Sequence, residues 1–62
     1  MQNYELLIKK NADVDVPDYS HCYDDDEVGN HIRYFVSVQD DDIDTFENWA
    51  MKNDDIIDFC VI

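Results

Sequence analysis

Apolar positions recur along this chain with two different periods. Between Asn3 and Lys10 they alternate: Tyr4, Leu6 and Ile8 fall on one face, Glu5, Leu7 and Lys9 on the other. That period of two predicts a strand. Ala12-Asp13-Val14-Asp15-Val16 also alternates and reads as a short extended piece, which Pro17 ends or confines to an edge. The clearest strand is His31 to Gln39, where Ile32, Tyr34, Val36 and Val38 alternate with Arg33, Phe35, Ser37 and Gln39. β-Branched and aromatic residues dominate it.

The period then changes. Ile43, Phe46 and Ala50 recur at helical spacing, flanked by Trp49 and Met51, and predict a helix from about Asp42 to Lys52. Asp40-Asp41-Asp42 stands where an N-cap and an acidic first turn are favourable, and Asn53 is placed to stop the helix in a left-handed conformation. The final run, Ile56 to Ile62, reads as a strand with Ile57, Phe59 and Val61 on one face and Ile56, Cys60 and Ile62 on the other. Apolar residues on both faces imply cover on both sides.

Between these segments the pattern is lost. Asp24-Asp25-Asp26-Glu27 repel one another and Gly29-Asn30 is a turn signal, so residues from about 17 to 30 are expected to form an acidic loop. The expected fold is α+β: a small antiparallel sheet of about three strands with one helix on one face, in the order β-loop-β-α-β. Residues 1–62 should form a single domain. One helix covers one sheet face, so Leu7 and Phe35 are left over. They are expected to form a homodimer interface with a second copy of the chain.

Charge changes this picture most. The 62 residues include 16 Asp and Glu against 4 Lys and Arg, for a formal charge of -12. Most of the acids are Asp, which holds its charge close to the backbone. Direct nucleic-acid binding needs a basic surface, and Lys9, Lys10, Arg33 and Lys52 are too few and too scattered. No apolar run approaches a membrane span, and Met1 to Glu5 lack the basic start of a signal peptide, so a cytoplasmic protein is expected.

Candidate chemistry is sparse. A calcium loop starting at Asp24 would place Val28 at its fifth position and Phe35 at its twelfth. One starting at Asp40 would place Thr45 at its sixth and Met51 at its twelfth, so both frames fail. His21, Cys22, His31 and Cys60 lack the paired spacing of a zinc site. No nucleophile stands in a spacing that supplies it with a base. An acidic setting also raises a thiol pKa rather than lowering it. Cys60, in its apolar run, reads as a small buried hydrophobe. No cofactor, metal or enzymatic activity is expected.

What remains is a protein studded with fixed negative charge. In composition alone it resembles small phage proteins that disable host nucleic-acid-handling enzymes. That resemblance implies a viral origin and a place in the host cytoplasm. The expected function is inhibition of a basic partner, such as a nuclease, helicase, restriction or other defence enzyme, by nucleic-acid mimicry. The contacts expected are Asp24, Asp25, Asp26, Glu27, Asp40, Asp41, Asp42 and Asp44, with Tyr19 and Tyr23 as aromatic anchors. The alternative is a non-enzymatic module that binds through its sheet edge or sheet face, with charge serving only solubility.

Overall fold

The computed structural model describes residues 1–62. Four strands form one antiparallel sheet: β1 (Gln2–Lys9), β2 (Ser20–Val28), β3 (His31–Val38) and β4 (Ile56–Val61). A 3₁₀ turn over Asp40–Asp42 leads into the single helix, α1 (Ile43–Lys52). The strand order is β2-β3-β1-β4, so α1 carries the chain across β1 to reach the far edge.

The alternation in β1 and β3 sets the core. Tyr4, Leu6 and Ile8 from β1, with Val36 and Val38 from β3, are all but inaccessible to solvent. Phe46 and Ala50 of α1 close over them, and Val14 and Ile56 complete the cluster. Tyr34, Ile43, Trp49 and Phe59 pack around it. Each fully buried large side chain contributes about 1.5–3 kcal/mol of transfer free energy.

The sheet has one strand more than expected. Residues 20–28 pair with β3 from Ser20↔Val38 to Val28↔His31, so the acidic loop expected over 17–30 is largely strand. A two-residue connection, Gly29-Asn30, makes the hairpin. Gly29 has φ +59° and no other residue has positive φ, which suits a tight turn with glycine first. The true loop lies between β1 and β2. There Ala12, Val14 and Val16 form no strand. Their alternation instead turns Val14 inward, and the segment lies over the helix side of β2 and β3.

Three further expectations are corrected. Asp42 makes no side-chain capping bond: the 3₁₀ turn ahead of α1, closed by the Asp42 N–H on the Gln39 carbonyl at 3.0 Å, leaves Asp42 at φ -113° and ψ 7°, outside the extended conformation from which a cap reaches the helix N–H groups. Asn53 stops the helix in an extended conformation, φ -92° and ψ 111°. In β4 a register shift leaves Ile57 without a partner. Ile56, Phe59 and Val61 therefore all oppose core-facing residues of β1, namely Ile8, Leu6 and Tyr4. The bulge overrides the simple alternation, and β4 is an edge strand rather than a strand covered on both sides. Cys60 consequently lies exposed on the open face, not in the core.

Candidate protein-binding surface

β2 becomes a strand through its backbone rather than its side chains. Its only core-directed apolar residue is Cys22, opposite Val36. The ladder to β3 and the Gly29 turn hold the rest. At Tyr23 the register shifts, so Tyr23 and Asp24 together oppose Phe35, and the Cys22 thiol donates to the Asp24 carbonyl at 3.3 Å across the bulge. Burial pushes the Cys22 thiol pKa up.

Alternation then splits the acidic run between two faces. Asp24 and Asp26 join the open face beside Phe35 and Arg33, while Asp25 and Glu27 turn to the helix side beside Tyr34 and Ile32. All four are exposed. On the open face, Asp26 accepts a 3.1 Å hydrogen bond from Arg33 Nη2, and Glu5 lies 4.0 Å from Nη1. The Arg33 guanidinium lies 5.6 Å from the centre of the Phe35 ring, and the Tyr23 ring is 6.4 Å from it on the same face. Phe35 and Leu7 are half-buried within the single chain.

On the helix side, the β1–β2 loop brings Asp15 and Asp18 to a shallow groove shared with Asp25, Cys22 and Tyr34. Burial first, then the charges of Cys22, Asp25, Asp13 and Asp15, push the Tyr34 hydroxyl pKa up. The 3₁₀ turn follows directly from the end of β3 that pairs with the start of β2. It adds Asp40, Asp41 and Asp42 at that end. Tyr19 is half-buried there, its pKa raised by burial and by Asp42.

The expected contact residues thus divide into three places. Asp24 to Glu27 line the β2 edge. Asp40 to Asp42 stand beyond the end of β3, whose last residue, Val38, lies about 17 Å along the strand from Arg33, the partner of Asp26, at ~3.3 Å per residue. Asp44 turns away onto the first turn of α1, near Tyr4. Tyr23 is exposed, whereas Tyr19 packs against the core and offers little free surface. Sequence reasoning passed over Arg33 as a member of this surface. The signal was its position, since Arg33 and Phe35 share a face of β3.

The three lysines stand apart from the acidic runs. Lys9 and Lys10 sit where β1 ends, sharing a groove with Asn30, His31 and Asp55, and Lys52 closes α1. The half of the molecule built from β2, the β1–β2 loop and the 3₁₀ turn carries Asp13, Asp15, Asp18, Asp24 to Glu27 and Asp40 to Asp42. No helix is long and apolar enough to cross a membrane. No protein-family model, curated protein or solved structure matches the chain.

Proposed function

We propose that this is a non-catalytic binding protein that occupies a basic surface on a partner protein in the cytoplasm, where that partner would otherwise hold nucleic acid. One observation carries this reading: the β2 edge presents four exposed carboxylates on consecutive residues, fixed to a strand, with further acids on its helix side and beyond its Ser20 end. A strand holds such charges at set spacing, and duplex DNA likewise offers about one charge per ~1.7 Å of axis. Charges fixed before binding steer association toward a complementary partner and suppress wrong ones. Nucleases, helicases and restriction or other defence enzymes carry grooves of the required sign.

The test is capture at low salt from a cell lysate, with the parent and with a variant carrying D24N, D25N, D26N and E27Q. The expected partners bind nucleic acid, are released by added duplex DNA, and are not held by the variant. If parent and variant retain the same proteins, the reading fails.

A further inference from the structure

The two edges of the sheet are built in opposite ways. The β2 edge is guarded by Asp24 to Glu27 and kinked by the bulge at Tyr23, two devices that discourage pairing with another strand. The β4 edge has neither along its outer stretch. Its one charge is Asp58, and Ile57, Val61 and Ile62 are 47%, 55% and 55% exposed. The Ile62 N–H donates to the Asn3 carbonyl at 3.1 Å, which fixes the phase of the β1–β4 ladder. Ile62, Cys60 and Asp58 turn their backbone groups toward β1. Phe59 and Val61 turn theirs outward, without partners.

That stretch is self-complementary. A two-fold axis through Cys60 sets Phe59 opposite Val61 of a second chain, and Val61 opposite Phe59. Every outward N–H and C=O of the two residues then finds a partner. The axis uses only the regular part of β4 and avoids the irregularity at Ile57. Asp58 falls opposite Ile62, and the two copies of Asp58 stand about 14 Å apart at ~3.4 Å per residue. That exceeds a Debye length of about 8 Å at physiological salt. The guarded β2 edges lie at the two ends of the combined sheet, about 34 Å apart at ~4.8 Å per strand spacing.

We infer that β4 pairs antiparallel with β4 of a second copy about Cys60, giving a continuous eight-stranded sheet. This does not depend on the acidic surface having a basic partner. The seam is short and falls below the area of a standard interface, so the dimer is weak and forms at high concentration. Each copy carries a net charge of -12, so added salt tightens the dimer, the reverse of its effect on a basic partner.

Sedimentation equilibrium of the whole chain up to roughly 1 mM, at low and high salt, reads the association. Val61→Pro removes an outward N–H that makes no bond within the chain, and Val61→Lys adds charge at the seam. Each should weaken self-association at least about tenfold while circular dichroism is retained. In a Cys22→Ser background, the oxidant diamide, which takes up two thiol hydrogens as the disulfide forms, should link two chains through Cys60. A non-hydrogen-bonded antiparallel pair brings Cα atoms to about 4.5 Å, within disulfide reach. Adding Val61→Lys should slow that link at least about tenfold, which a merely collisional reaction would not show. A parent that stays monomeric, a dimer that both Val61 variants leave intact, or a link that forms equally fast with Val61→Lys each overturns the proposal.

Discussion

The Tyr4 hydroxyl donates a 2.6 Å hydrogen bond to Glu47 Oε2, joining the middle of the sheet to the one helix that covers it. The Tyr4 ring is 1% exposed and lies 4.9 Å from the Phe46 ring. Burial, the bond to Glu47 and the nearby charges of Glu47 and Asp44 push the Tyr4 pKa from 10.0 up to about 12. In the folded chain the proton is held more tightly than in the unfolded one. This stabilisation is therefore complete below pH 10 and is lost as pH rises toward about 12.

Urea midpoints measured from neutral pH upward should fall across that window, by the equivalent of about 2–3 kcal/mol at its end. Burial also raises Tyr19 and Tyr34, and both add in the same direction. Tyr4→Phe should cost about 1 kcal/mol at neutral pH and flatten the alkaline fall. An unchanged fall in that variant would show that Tyr4 does not carry it.

Phe46 is the side chain whose loss the core can least absorb. It is fully buried and touches both Tyr4 and Trp49, with ring centres 4.9 Å and 5.4 Å away. Phe46→Ala should cost about 3–5 kcal/mol. A domain of this size has a total stability of about 3–9 kcal/mol, so much of the variant population should be unfolded at room temperature. Trp49 fluorescence reads the change directly. Met51→Ala, at a residue 66% exposed on the same helix, should leave the signal in place.

The hairpin between β2 and β3 rests on Gly29. A Cβ there would meet no atom within 4 Å, so Gly29→Ala is a test of backbone conformation alone. At φ +59° it should cost about 1–2 kcal/mol. Gly29→Asn should cost less, because asparagine tolerates this region better. Equal thermal midpoints for all three proteins would mean that the turn can adopt a different conformation at no cost.

How much could be read from the sequence depended on which interaction holds each element. β1, β3 and α1 are held by apolar faces, and Tyr4-Leu6-Ile8, Val36-Val38 and Phe46-Ala50 show the two periods plainly. β2 is held by its backbone ladder, so Asp24 to Glu27 gave only the signature of a solvated loop. Its alternation is also interrupted at Tyr23, where two residues oppose one. The bulge at Ile57 hid the true faces of β4 in the same way and misplaced Cys60. For the candidate surface, the acidic residues themselves were evident. Their division between two faces was not, because it depends on the strand that the sequence concealed.

Neutralising the β2 edge separates a functional role for its charge from a solubilising one. In the variant carrying D24N, D25N, D26N and E27Q, only one ion pair is lost, Asp26 with Arg33, and both side chains are partly exposed. Such a pair contributes about 0–1 kcal/mol, and relief of repulsion along the run acts in the opposite direction. The fold should therefore survive with little change in its thermal midpoint. Binding to a basic partner should change much more. In the parent, the association rate should fall steeply with salt, and the variant should lose both rate and salt dependence together. Stopped-flow association at several salt concentrations measures both. If the variant binds at the parent's rate and with its salt slope, charge on the β2 edge serves solubility alone. Recognition must then come from the sheet, and Leu7→Asp or Phe35→Asp should be the changes that abolish it.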